Sequence, residues 1–503
     1  VTKSDPTSRA TRHSESPALF LHGPSSRTGA GFHLLFLSVA AVLVGCGPGS
    51  ETRAAASAES RGDGGGRALV PRPDVLLVAV DGLALSDLSA FGGALADTVG
   101  FDRLSEEGAV YVDTFAPSPW PEEALAGALT GRTAAHLDGQ PWTPSLAETL
   151  QHDGYRTALV LGHEQHLPHL LPSGVAPVTR AQATVLEAAA PIREGEPVPT
   201  VPGFERTLLP EEARSVVGAR ADDVVSACIE WLESHAEPAF LLATFGDPRP
   251  PHHLYRGLVP AADIPYEGPM KAGLSHAELL RMRDEFTDED RQRLAELHAT
   301  EVAMVDQAFR RLAGAMIQRR ETPPVLIVIG LRPAALGEGG RYGLIPSFMP
   351  NALQVPMLIR FPEPLGETPE AIALRAAELR GDVEIQASLI DLTPTVLDAL
   401  GFEPRYDLEG RSLFPGAAFQ PRATFAMTRK GVRGGTLIEG NSAVSVQLAP
   451  LTLTYHTRPS PSDPFHSLPT PSSRELDLRQ PLARYLESTG TASATELLNP
   501  KKK

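Results

Sequence analysis

The run Asp74-Val75-Leu76-Leu77-Val78-Ala79-Val80-Asp81-Gly82 constrains this chain more than any other. An uninterrupted apolar stretch of that length, rich in valine and leucine and closed by a carboxylate, reads as a buried β-strand. A helical segment at 101–110 follows, and then Ser118-Pro119-Trp120-Pro121-Glu122-Glu123-Ala124-Leu125, a turn that feeds directly into a helix. Pro121 suits the first helical position, where a missing N–H costs nothing, and Glu122 and Glu123 fall beside the positive end of the helix dipole. Gly131 suits the C-terminal cap. A helix opening after a loop also attracts anions. A buried strand with Asp81 at its carboxyl end, a helix, and a second helix N-terminus together predict an open α/β sheet whose functional site lies at the strand ends.

The rest of the chain repeats the alternation. Strands are expected at 157–162, 240–244, 325–329 and 355–361, and helices at 145–152, 221–234, from Thr287 onward, and at 385–400. In the helix after Thr287 the positions Leu294, Leu297, Val302, Val305, Phe309, Leu312 and Met316 follow helical spacing and predict a face packed on the sheet. Residues 165–215 are rich in proline and read as a surface excursion. Beyond Pro415 the pattern changes to short β-like pieces, and a small α+β subdomain is expected over 416–500.

Composition narrows the setting. With 45 Lys and Arg against 61 Asp and Glu the net charge is −16, which argues against a nucleic-acid binder. Of the two cysteines, Cys228 shares a helix face with Val224, Val225, Trp231 and Leu232 and is expected in the core. Cys46 closes an apolar run preceded by arginines, the order of a secretory signal. Leu43-Val44-Gly45-Cys46 resembles a bacterial lipobox, so residues 1–45 are expected to be a signal peptide, Cys46 a lipidated anchor and 46–70 a flexible tether, with the protein on the periplasmic or outer-membrane side.

The order of motifs across 71–415 resembles the sulfatase family of the alkaline-phosphatase superfamily. Asp74 to Asp81 is similar to its first strand and first metal-binding aspartate, Leu129-Thr130-Gly131 to its helix-end motif, and Asp247-Pro248-Arg249-Pro250 to its Asp-Pro-His-x-Pro piece. Leu336-Gly337-Glu338, Val355-Pro356-Met357-Leu358-Ile359-Arg360 and the segment 388–413 match later motifs in sequence order. The resemblance implies an α/β/α sandwich with a mostly parallel central sheet. It also implies ester hydrolysis by a formylglycine nucleophile, made from Cys or Ser, beside a divalent cation, usually calcium.

Carried over residue by residue, those roles fail. The nucleophile position falls on Pro121 and the motif's basic position on Leu125; the second carboxylate is Gly82; the Asp-His or Asp-Asn pair expected after the strand 325–329 falls on Leu331 and Arg332; the histidine of the Asp-Pro-His piece is Arg249. Asp81 alone keeps a metal-binding role, whereas calcium takes about six to eight oxygen ligands. The expectation is a degenerate pocket formed by Glu122, Glu123, Asp247, Arg249, Leu331, Arg332 and Glu338, in which Glu122 or Glu123 pairs with Arg332 or Arg249 in place of the cation. No cofactor is then expected. The implied function is a pseudo-sulfatase that binds a sulfated or phosphorylated glycan or a protein partner. The alternative is an active hydrolase with relocated chemistry, using calcium or another divalent ion. Its candidate nucleophiles are Ser118, Thr130 and Thr133, and its candidate ligands Asp81, Glu122, Asp247, His252, His253 and Glu338.

Overall fold

The computed structural model describes residues 72–137, 144–163, 201–208, 210, 219–362, 380–403, 405, 407–414, 422–428 and 433–498. Two units divide the chain. Val1–Arg67, with the expected signal peptide and Cys46, lies outside the described residues, and all that follows concerns Ala68–Lys503.

The first strand, Val75–Gly82, is buried along its whole length. Val75, Leu77 and Ala79 contribute to one hydrophobic cluster and Leu76, Val78 and Val80 to another, so the strand is covered on both faces. That double burial is why its sequence shows no polar alternation. It pairs in parallel with Ala239–Phe245 on one side and Val325–Pro333 on the other. Among the described residues the sheet has eight strands, in the spatial order Gly381–Val383, Ala109–Tyr111, Met357–Arg360, Val325–Pro333, Val75–Gly82, Ala239–Phe245, Arg156–Leu161, Arg206–Leu208. Met357–Arg360 runs antiparallel to both of its neighbours, and the other pairings are parallel.

One face of the sheet carries the helices Pro121–Thr130, Leu146–His152 and Leu392–Ala399, and the other carries Val99–Glu107, Ala221–Glu233 and the long helix Asp288–Arg319. This is the expected α/β/α sandwich. Helix starts follow the local chemistry: Ser145 and Thr287 accept from the backbone N–H three residues on, and Glu148 and Asp290 return the bond. Cys228 is fully buried among its predicted neighbours.

Three expectations change. The helix expected over 385–400 begins only at Leu392, because Ala387–Ser388 pairs with Thr114–Phe115 and Asp391 then caps Ser388 to form a short 3-10 turn. Within the stretch read as a surface excursion, Arg206–Leu208 adds an edge strand beside Arg156–Leu161; residues 164–200, 209 and 211–218 lie outside the described residues. The C-terminal region holds a five-stranded antiparallel sheet, and the helix Ser473–Ser488 packs on it through Leu478, Leu482 and Leu486. This layer docks on the sandwich through Phe115, Leu353, Ala426, Ile438, Ala443 and Phe465 and a buried ion pair between Arg458 and Asp113 at 2.6 Å.

Candidate active-site edge and a buried arginine cluster

Asp81 ends the first strand at the carboxyl edge of the sheet and is fully buried. Up to Val80 its register with the neighbouring strand is regular, Val80 facing Gly330. Asp81 then faces Arg332, so Leu331 is an extra residue in a β-bulge. The bulge sets Arg332 opposite Asp81 while Leu331 stays in the hydrophobic cluster under the helix Pro121–Thr130. Arg332 grips the carboxylate with both prongs: Nε donates to Oδ1 at 2.8 Å and Nη2 to Oδ2 at 3.1 Å. Arg249, delivered by the loop after Ala239–Phe245, brings Nη1 to 3.7 Å from Oδ2. Burial pulls the Arg249 guanidinium below its ordinary pKa; the Asp81 carboxylate pulls the other way and Arg332 adds to the lowering.

Gly82 completes the enclosure. Its φ is +103°, and a Cβ at this position would stand 2.0 Å from the Pro248 carbonyl oxygen. The position of the second carboxylate is therefore closed by backbone as well as lacking a side chain. Calcium does not fit this residue set. Asp81 is consumed by arginine, Gly82 has no room for a ligand, and Leu331 and Arg332 offer an apolar group and a cation where oxygen donors would be needed.

Pro121 stands at the first position of its helix and Gly131, with φ +67°, caps the end, as the sequence predicts. Glu122 and Glu123 lie in the first turn. Both guanidinium groups that the sequence offers as partners for these glutamates approach Asp81. Glu123, buried, accepts from Ser118 Oγ and from Thr428 Oγ1 at 3.1 Å, which ties the helix start to the C-terminal sheet.

The remaining predicted residues scatter. Asp247 Oδ1 accepts from the Ala221 N–H at 3.1 Å, at the start of the helix Ala221–Glu233, and from the Tyr255 hydroxyl at 3.3 Å. Burial raises its pKa to about 6. Glu338 is exposed and accepts from the nearby Leu336 N–H at 2.8 Å. The candidate nucleophiles are occupied: Ser118 by Glu123, Thr130 by the Ala126 carbonyl at 2.7 Å, and Thr133 by Glu409 and the Tyr485 hydroxyl.

Beside this edge the structure adds two residues that the sequence reading passed over to one that it names as a candidate ligand. His298 and Glu301 lie on the long helix, one turn apart, and meet His252 from the loop that carries Arg249. All three are buried, and one ligand-type atom from each lies within 4.8 Å of the others. The signal was available, since positions 298 and 301 extend the same buried stripe as Leu294, Leu297 and Val305. Two polar residues on a core face ask for a partner.

The sulfatase family model matches residues 73–402. Curated relatives include arylsulfatase G of Rattus norvegicus, 31% identical over 114 residues, and arylsulfatase G of Mus musculus, 29% identical over the same length; each alignment spans 20% of this chain and 22% of the relative. Among solved structures, the phosphonate monoester hydrolase of Agrobacterium radiobacter superposes with a TM-score of 0.60 at 18% identity, covering 83% of this chain and 95% of that one. The BT4656 protein, solved with its substrate D-glucosamine-2-N,6-O-disulfate, gives 0.57 at 15% identity, covering 86% and 99%. With the family model spanning more than half its length, and with the strand, helix and loop order described above, the chain belongs to the sulfatase family.

Proposed function

We propose that this sulfatase-family protein is a pseudoenzyme that binds a sulfated or phosphorylated glycan, or a protein partner, without turning it over. The observation that carries the reading is the two-pronged Arg332–Asp81 pair, with Arg249 alongside: the residue that would anchor a cation is satisfied by protein cations. Pro121 at the nucleophile position removes the attacking group, since a pyrrolidine ring supplies neither thiol nor hydroxyl. The solved relatives named above act on sulfated sugar and phosphonate monoesters, substrates of the same charge class. The lipobox-like Cys46 supports a lipid-anchored protein on the periplasmic or outer-membrane side.

The reading is tested by incubating the protein with aryl sulfate, aryl phosphate and aryl phosphonate esters, and by titrating it with heparin and chondroitin sulfate. No turnover is expected from the native chain or from Pro121→Cys, whereas sulfated glycan binds and Arg249→Gln weakens the binding. Turnover by the native chain that disappears in Asp81→Ala refutes inactivity. Absence of binding to every anionic glycan refutes the proposed role.

One observation favours the alternative of a hydrolase with relocated chemistry, namely the cluster containing His252. Its burial speaks for a structural role, because His252, His298 and Glu301 are 3%, 1% and 0% exposed.

A further inference from the structure

We infer that His252, His298 and Glu301 form a binding site for a transition-metal dication of the zinc class, separate from the family's metal position. The three side chains come from two elements. His298 and Glu301 sit one turn apart on the long helix Asp288–Arg319, and His252 comes from the loop after Ala239–Phe245.

Each residue shows the signs of an unfinished coordination shell. His298 Nε2 lies 2.9 Å from Asp87 Oδ2, while its Nδ1 is buried without a hydrogen-bond partner. A carboxylate on one ring nitrogen, with the other left bare, is the arrangement that orients a metal-binding histidine. His252 Nδ1 faces Glu301 Oε2 at 2.6 Å, the gap at which one ion could take both atoms, and its Nε2 is buried without a hydrogen-bond partner. The two rings stand edge to face, with centroids 5.6 Å apart.

Glu301 supplies the charge argument. It is fully buried, and its described partners are the His252 ring and the His253 N–H, at 2.7 Å to Oε1. Among the described residues no Lys or Arg lies within ion-pairing distance of it. A buried carboxyl group outside ion-pairing distance of Lys and Arg can release its proton to take up a dication, whose charge would then offset its own. Two imidazole nitrogens and one carboxylate oxygen suit zinc and its neighbours, whereas calcium and magnesium prefer all-oxygen shells. The bound ion would pin the loop holding Arg249 to the long helix, and so fix the arginine cluster at the sheet edge. The inference holds whether or not the protein hydrolyses esters.

The test uses the full chain, stripped with a chelator and then loaded with Co²⁺ or Zn²⁺. One equivalent is expected to survive gel filtration, the Co²⁺ form should show visible d–d absorption, and the thermal midpoint should rise by several degrees. Glu301→Gln and His298→Gln are expected to lose both the absorption and the midpoint shift, while Asp81→Asn keeps them. X-ray absorption on the zinc-loaded wild type needs no variant and should show two imidazole ligands. Failure to retain metal, an all-oxygen shell, retention in both glutamine variants, or loss only in Asp81→Asn would each overturn the inference.

Discussion

Replacing Asp81 with Asn tests the arginine cluster most sharply. In a metal-dependent esterase of this fold, loss of the first aspartate would remove a ligand and hence activity, with little cost to folding. Here the same change strips the counter-charge from Arg332, bound through both carboxylate oxygens at 2.8 and 3.1 Å, and from Arg249 at 3.7 Å. Two unit charges about 4 Å apart attract by about 4 kcal/mol at an effective dielectric constant of about 20. Removing one partner of a buried pair costs about 3–5 kcal/mol, which agrees. With an unfolding entropy of about 2.1 cal/mol/K per residue, a unit the size of Ala68–Lys503 has about 0.9 kcal/mol/K in total. The loss therefore lowers the thermal midpoint by about 4–5 °C. Differential scanning calorimetry of the wild type, Asp81→Asn, Arg332→Gln and the double variant gives the cycle. The double variant should cost clearly less than the sum of the two singles, by about 1–3 kcal/mol. An unchanged midpoint in Asp81→Asn, or strict additivity, would refute the claim that Asp81 is held as a buried ion-pair anchor.

Three further outcomes follow from the same geometry. Gly82→Asp, which would restore the family's second carboxylate on paper, should destabilise the protein and fail to create calcium binding by isothermal titration, because the new Cβ meets the Pro248 carbonyl at 2.0 Å on a backbone with φ +103°. Asp247 has a folded pKa raised to about 6 by burial, so the folded state binds more protons than the unfolded state between about pH 4 and 6, and its contribution to stability falls as pH rises through that window. Asp247→Asn, which can keep the bonds from Ala221 and Tyr255 on its oxygen, should flatten this part of the stability profile in denaturant melts at pH 4.5 to 7.5 and raise stability at the upper end. Burial pushes the Cys228 thiol pKa up, so labelling by a maleimide at pH 7 should follow global unfolding. Rapid labelling of the native protein would contradict the packing of that helix.

The parts of this architecture written in local chemistry were legible in the sequence. The uninterrupted run at 75–80 announced a doubly covered strand, Pro121 and Gly131 bracketed their helix, and Thr287 with Asp290 started the longest one. Features that depend on register between distant segments were not. Nothing in Gly330-Leu331-Arg332 marks Leu331 as the bulged residue, yet that one irregularity determines whether Asp81 faces an apolar group or a guanidinium. The destination of Glu123 was hidden for the same reason, since Thr428 arrives from a strand some three hundred residues later. The helix Ser473–Ser488 escaped notice because Pro481 lies inside it and its composition is polar, with only Leu478, Leu482 and Leu486 forming a thin apolar line. His298 and Glu301 were hidden in plain periodicity, on a stripe read for its apolar members alone.

The bulge at Leu331 also sets a limit on how far substitution alone could rebuild this sheet edge. A register shift is a change in residue count, and no substitution alters the count. Exchanging Arg332 for Asn would place an amide opposite Asp81 but leave Leu331 inserted, so the strand would still emerge one residue out of step with its neighbour. Removing the offset takes a deletion in this strand, and a side chain at position 82 takes a retreat of the Pro248 backbone.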